Sequence, residues 1–372
     1  MKRVLIVGGG IIGTMHAILA AEKGFAVTHL ERDMKPQSAS VRNFGLIWVS
    51  GRLAGAELDL ALRARELWGL IGSRADIGFR ANGSLTIAQT EAEFTVIQEA
   101  AGIPDAQKRG FRTLNKKETI AIEPELAGNY VGALQCTTDA AVEPTLLLDG
   151  LRNYLKAFSQ YTWLPNFEVV DFFHDDKGNH VSDLSGKMYS GDYVAICAGA
   201  AHKGFIEEFL DKAPLRKVRL QMASTAPLGA KLGHSLADAD SMRYYPAFKD
   251  LSLNLLGPQS EIAAEFKMQL LLVQRLDGSM TIGDTHEYNE PFTHEIHEAP
   301  YDHLYAVMNN IFGRAVPRIE KRWDGVYSQS TSNDIYVRKE IAPGAHLVTG
   351  VGGRGNTLSP AIAEETVNQW SL

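Results

Sequence analysis

The first thirty-one residues constrain this chain more than any other stretch. Arg3 to Val7 is a short apolar run, and Gly8-Gly9-Gly10-Ile11-Ile12-Gly13 follows it. Thr14 to Lys23 is rich in alanine, and Ala26 to Leu30 is a second apolar run that ends on Glu31. Short apolar runs bounded by glycine read as buried strands, with the stretch between them a helix. Gly8 permits the tight turn, Gly10 lets the backbone approach a pyrophosphate, and Gly13 lets the helix pack close on the sheet. Ile11 and Ile12 lie in the same turn. The helix start offers unpaired N–H groups and the positive end of its dipole to phosphate. Glu31, with Arg32 beside it, stands where an acid would accept hydrogen bonds from an adenosine ribose. Strand, turn, helix and acid together predict a dinucleotide site.

At 372 residues the chain exceeds one ordinary core, so two domains or one bilobed unit are expected. Its 45% hydrophobic and 22% charged residues are those of a globular protein. A net charge of −7, without any Lys/Arg run, argues against a nucleic-acid surface. Cys136 and Cys197 lie far apart in apolar contexts and read as two buried free thiols. With no signal-peptide pattern and no apolar stretch of membrane-spanning length, a cytoplasmic location is expected.

Further along, Ser38 to Gly45 is a small-residue loop that suits either a phosphate or ring edge, or an ordinary polar turn. Glu57 to Ser73 has helical periodicity, with Leu58, Leu62 and Leu70 on the expected buried side. Ser84 to Ala88 reads as a strand, Glu91 to Ala101 and Leu114 to Ile122 as helices, and Thr145 to Tyr161 as a long helix behind Pro144. Phe167 to Phe173 and Tyr193 to Ile196 read as strands, the second feeding Cys197-Ala198-Gly199. His346 to Thr349 repeats that pattern, ending in Gly350 to Thr357 and then a helix from Leu358 to Trp370. Three strands that end in small residues suggest one nucleotide domain assembled from separate segments. Between them, Lys217 to Thr225, Met242 to Phe248, Gln269 to Arg275, Ser279 to Gly283, Arg318 to Ser328 and Ile335 to Arg338 read as strands, and Tyr301 to Phe312 as a helix. This region reads as an antiparallel substrate-binding sheet.

These residues resemble the D-amino acid oxidase/glycine oxidase superfamily of FAD-dependent oxidoreductases over nearly the whole chain. Ser40 to Gly45, Met242 to Phe248 and Asp277 to Tyr288 resemble, more narrowly, a bacterial subgroup associated with phosphonate breakdown. The resemblance implies an α/β two-domain fold: a glutathione-reductase-like Rossmann domain for FAD with an antiparallel-sheet substrate domain. The implied boundaries are 1–80, 140–215 and 335–372 for the first and 81–139 and 216–334 for the second. It implies that Gly8, Gly10, Ile11, Ile12 and Gly13 lie along the pyrophosphate, and that Glu31 and Arg32 hold the ribose. Ser38, Ser40, Asn43, Phe44 and Gly45 would lie near the phosphates and flavin, Val169 at the adenine, and Ala198 and Gly199 at the pyrophosphate. Gly352, Gly353, Arg354, Gly355, Asn356 and Thr357 would sit at the flavin edge, where the final helix dipole stabilises negative charge.

The implied chemistry is hydride transfer from the carbon beside an amine nitrogen to flavin N5, with O₂ or another acceptor taking the electrons. No general base is assigned, and no residue is placed for a covalent link, so non-covalent FAD is expected. One departure from the family matters. Glycine and D-amino acid oxidases carry a carboxylate-clamping Arg on the strand after Trp-x-Gly, and here Trp323-Asp324-Gly325-Val326 leads to Tyr327. A phenol cannot replace a guanidinium fork. Arg243 and Arg354 are the expected substitutes, ahead of Arg219, Arg42 and Arg52, with Tyr244, Tyr245, Tyr288 and His286 as further candidates. The lost clamp points to an aminophosphonate. Alternatives are glycine, sarcosine or a D-amino acid as substrate, or a non-catalytic FAD- or NAD-binding protein.

Overall fold

Apolar strands buried on both faces need helices on each side, and the opening unit supplies the first. In the computed structural model, which describes residues 1–372, Arg3–Val7 pairs in parallel with Ala26–Leu30 on one side and Tyr193–Ile196 on the other. Tyr161–Leu164 extends the sheet beyond Ala26–Leu30. Ala345–Thr349 extends it beyond Tyr193–Ile196, and Val337–Ala342 closes that edge antiparallel. The helix Ile11–Glu22 is buried nearly all round, through Ile11, Met15, Ala17, Ile18, Ala20 and Ala21. Its small alanines admit the final helix Gly355–Val367 and the helix Pro144–Leu155 as close neighbours. The sheet thus gathers segments far apart in sequence, and the turns after its parallel strands meet at one edge.

A second sheet has eight strands, in the order Ile319–Ser330, Leu215–Thr225, Met280–Gly283, Leu271–Gln274, Ser235–Asp238, Ser84–Ala88, Gly132–Cys136 and Phe111–Asn115. It is mixed rather than wholly antiparallel, because Ser235–Asp238 runs parallel to Ser84–Ala88. Alternation along its strands feeds two cores. Leu85 and Ile87 join the core that includes Tyr301, Leu304 and Met308 of the helix Ala299–Phe312. Ala88 and Met222 join the one containing Trp48, Tyr245 and Tyr327.

Ser84–Ala88 and Glu91–Ala101 form as expected, and both cysteines are buried and free. Several other expectations are corrected. Leu114 lies in the strand Phe111–Asn115, and helix begins only at Lys116, because Asn115 and Glu118 form a reciprocal capping box. The long helix ends at Leu155, which frees Tyr161–Leu164 to pair with Ala26–Leu30. Phe167 to Val170 is not strand; pairing starts at Asp171, in a three-stranded meander of Asp171–Asp175, Gly178–Ser182 and Met188–Gly191. On Ala56–Gly72, Leu70 is exposed, and the buried face is Leu58, Ala61, Ala64, Leu67, Trp68 and Ile71. Met242 to Phe248 is two short 3-10 turns, not a strand. Asp238 starts them by accepting from the Ser241 N–H (2.9 Å) and hydroxyl (2.5 Å), and Pro246 has no N–H for a ladder.

Candidate active site

A cavity of ≈ 520 Å³ opens at the carboxyl ends of the parallel strands, the usual ligand position in such sheets. Gly8, Gly10, Ile11, Ile12 and Gly13 form part of its wall. A Cβ on Gly13 would stand 1.9 Å from the Gly8 carbonyl oxygen, so helix and turn touch backbone to backbone. Gly8 itself has φ +109°, a region L side chains rarely adopt, and a Cβ there would lie 2.3 Å from the Cys197 carbonyl oxygen. Behind the turn, His29 is buried and its pKa is lowered to about 3 by desolvation, so the ring is neutral. Nε2 stands 3.1 Å from the Gly8 carbonyl oxygen, which can only accept, so Nε2 carries the proton and donates. Nδ1 then accepts from the Tyr161 hydroxyl at 3.1 Å. Nothing in the local sequence marked His29 as a support for the glycine turn.

Glu31 lines the cavity, one oxygen accepting from the Gly9 N–H at 2.6 Å and the other from the Asp33 N–H at 3.0 Å. A carboxylate has four lone-pair sites, so acceptor capacity remains for a ligand hydroxyl. Arg32, Ser38, Ser40, Val169, Ala198, Gly199, Gly352 and Gly355 also line the cavity. Ser40 accepts from the Ile11 N–H at 2.9 Å, tying the serine loop to the helix start. The other glycine-loop candidates stand behind the wall. Asn43 accepts from the Gly45 N–H (2.7 Å) and the Asn356 amide (2.8 Å), joining the serine loop to the final helix. Thr357 accepts from the Trp48 N–H at 2.9 Å, and Phe44 is buried. A Cβ on Gly45 would fall 2.2 Å from the Val142 carbonyl oxygen. A Cβ on Gly353 would stand 3.6 Å from the Tyr327 hydroxyl, so that phenol abuts the C-terminal turn.

Tyr327 leads from the cavity into an aromatic cluster. The Tyr244 phenol lies near those of Tyr327 and Tyr288. The Tyr244 ring packs on His286 at 4.4 Å between centroids, and His286 faces Tyr288 at 6.2 Å. Tyr245 continues the chain to Trp48. Burial raises all four phenols, so they are neutral donors. His286 is lowered to about 4, first by burial and then by Arg216 and Lys267, and its Nδ1 stands 2.9 Å from the Lys267 carbonyl oxygen.

The cation candidates separate clearly. Arg243 is corrected: its Nε meets Asp240 at 2.6 Å and its other nitrogens donate to the Leu253 and Gly257 carbonyls. A 3-10 turn rotates each residue by a third of a turn, so Arg243 leaves the cluster while Tyr244 enters it. Arg219 is locked to Asp324 (2.8 Å) and Glu287 (2.9 Å), and Arg42 donates to the Gln37 and Asp324 carbonyls. Arg354 and Arg52 share one carboxylate, Glu57, each at 3.4 Å, which leaves an excess positive charge. Arg52 also stands 5.8 Å over the Tyr245 ring. The sequence reading missed Arg216, which lies 4.0 Å over the Tyr288 ring, and Lys267, 5.6 Å from it. Arg216 sits on a strand whose basic start, Arg216, Lys217 and Arg219, resembles an ordinary exposed edge.

A family model described as FAD dependent oxidoreductase (DAO) matches residues 3–369. The chain belongs to that family. The fold agrees with glycine oxidase from Geobacillus kaustophilus, at TM-score 0.78 and 19% identity over 100% of this chain and 96% of that one. Iminodiacetate oxidase from Chelativorans sp. BNC1 gives TM-score 0.75 and 18% identity over 98% and 94%. An FAD-bound L-alpha-glycerophosphate oxidase from Mycoplasma pneumoniae gives 0.76 and 18% over 100% and 96%. Among curated proteins, one subunit of the opine oxidase of Rhizobium meliloti is 29% identical over 164 residues, 41% of this chain and 44% of that protein. Its counterpart in the opine oxidase of Agrobacterium tumefaciens (strain Ach5) is 24% identical over 236 residues, 59% and 62%. The matched stretch thus spans less than two thirds of either relative. FAD is the family's cofactor, and the residues present fit it: backbone-lined glycine turns for pyrophosphate, Glu31 with spare acceptor capacity, and a helix start whose N-cap, Gly10, has no side chain to occupy it. No helix is long and apolar enough to cross a membrane.

Proposed function

We propose that this chain is an FAD-dependent amine oxidoreductase for a small amine bearing a phosphonate, such as 2-aminoethylphosphonate or its N-methyl derivative. Loss of hydride and a proton leaves an imine, which water hydrolyses to phosphonoacetaldehyde and ammonia or methylamine. Tyr327 carries the reading. It belongs both to the cavity wall and to the aromatic cluster, and the Trp-x-Gly resemblance puts it where the amino-acid oxidases carry their clamping Arg. A tetrahedral phosphonate presents three oxygens and up to two charges, which suits several dispersed donors better than one fork. Arg216 and Lys267 beside Tyr288, with the neutral phenols of Tyr244 and Tyr327, offer such a set.

When bound, FAD supplies a two-electron acceptor for the C–H bond beside the amine nitrogen. The chain orients the substrate by its anion, surrounds it with neutral phenols and excludes water behind Tyr244, Tyr245 and Trp48. Non-covalent binding is supported by the state of both thiols, which burial pushes up and keeps protonated. Denaturing the protein is therefore expected to release all of its FAD into a filtrate, and flavin retained on the polypeptide would contradict this.

Steady-state turnover of the aminophosphonates against glycine, sarcosine and D-alanine tests the substrate, and preference for the amino acids overturns it. Arg216→Ala is expected to raise KM for 2-aminoethylphosphonate by about ten- to a hundredfold, the worth of one charged hydrogen bond. A second reading, oxidation of an α-amino acid, is favoured by the excess charge of the Arg52–Glu57–Arg354 group as a relocated carboxylate site.

A further inference from the structure

We propose that the Asp284 carboxylate takes the proton from the substrate's ammonium group, a role that rests on the amine-oxidoreductase reading above. Asp284 follows the strand Met280–Gly283 and is 5% exposed. Its Oδ1 is buried without any hydrogen-bond partner, and it stands in no ion pair. Buried carboxylates elsewhere in the chain are satisfied. Asp139 accepts from the Val49 and Ser50 N–H groups and the Ser84 hydroxyl, and Asp238 from Ser241. An orphaned carboxylate oxygen is costly, and this one lies near Tyr327, which walls the cavity, so a ligand reaching past Tyr327 could supply the missing donor.

The titratable groups near enough to feel the Asp284 charge come from three elements. They are Tyr244 and Tyr245 from the turns, Tyr288 from its own segment, and Tyr327 from the long strand that also walls the cavity. None of them is a cation, so the cation that would pair with Asp284 must come from outside the chain. A small amine arrives as an ammonium ion, and hydride leaves the adjacent carbon only when the nitrogen lone pair is free. In the step proposed, the N–H bond breaks and an O–H bond forms on Asp284, with the electron pair left on nitrogen. No electrons are exchanged with any other group.

The surroundings favour this proton location. Burial raises the Asp284 carboxyl to about 8, while burial and neighbouring Arg216 and Lys267 hold His286 near 4. The neutral phenols cannot accept. Asp284 is therefore the group in the cluster matched to the task at neutral pH. The native carboxyl binds its proton more tightly than its ordinary 3.8, so the stability associated with this group falls as pH rises from about 4 to about 8 and is level above.

The test uses FAD-loaded enzyme and whichever amine bleaches its flavin anaerobically, because every candidate amine brings an ammonium group. Wild-type kcat/KM is expected to climb with pH and level off near 8. Asp284→Asn should lose about a hundredfold at pH 7 and recover toward wild type as the free amine itself deprotonates. Its melting temperature should gain on wild type between pH 5 and 8. Asp284→Glu, which keeps the carboxylate, should keep the acid limb and serves if the Asn variant does not fold. An Asp284→Asn enzyme with the wild-type limb and rate at pH 7 overturns the proposal. If only amino acids bleach the flavin, the aminophosphonate reading fails and the same profile on that amino acid decides Asp284. If no amine bleaches it, both fall.

Discussion

Gly8→Ala is expected to give a colourless protein. Two effects combine at this residue. Its φ of +109° lies where an alanine is strained by about 1–3 kcal/mol, and the added Cβ would stand 2.3 Å from the Cys197 carbonyl oxygen. That oxygen belongs to backbone at the end of Tyr193–Ile196, so relief requires moving one strand end against the next. The displaced turn would also pull its carbonyl from His29 Nε2 and shift the start of Ile11–Glu22 away from the cavity. The flavin-to-protein absorbance ratio after purification should fall more than tenfold, with a lower melting temperature. A yellow Gly8→Ala protein with full flavin content would show that this turn does not hold the cofactor.

Glu57→Gln should be strongly destabilising. Glu57 is buried between Arg52 and Arg354 and also accepts from the Leu53 N–H. Removing its charge leaves two guanidinium groups in a low-dielectric site with no anion, at a cost of about 3–5 kcal/mol. Denaturant melts would read this as a lower midpoint with an unchanged slope. The exposed pair of Lys108 with Asp59, close by on the chain, is the control, and Asp59→Asn should scarcely move the midpoint. Equal midpoints for the two variants would contradict the account of the Arg52–Glu57–Arg354 group.

The contrast between the two lobes shows which physics a sequence exposes. The nucleotide lobe was legible because its signals are local: Gly8 to Gly13 need small residues for contacts only a few ångströms long, and Glu31 ends its strand at a regular distance. Where structure depends on partners far along the chain, legibility ended. Tyr161 looked like the last residue of a helix until Ala26–Leu30 offered Tyr161–Leu164 an edge, and Met242 to Phe248 carried strand-like aromatics whose fate was decided by a cap from Asp238. The same limit governs the site. Tyr327 was found by its offset from Trp323 and Gly325, and Arg354 by its place in the glycine loop. Arg216 and Lys267 meet Tyr288 only through the fold, and Arg243 was misassigned because one position along a 3-10 turn reverses where a side chain goes. Asp284 lay inside the segment quoted for its family resemblance, yet three of the four tyrosines around it, Tyr244, Tyr245 and Tyr327, are drawn from elsewhere.

The central claim is that a flavin in this cavity accepts electrons from an aminophosphonate. An anaerobic titration of the purified yellow protein, with the flavin absorbance followed as each amine is added, tests it most directly. Bleaching by 2-aminoethylphosphonate or its N-methyl derivative, at concentrations where glycine, sarcosine and D-alanine leave the spectrum unchanged, is the expected result. Bleaching by the amino acids alone would contradict it.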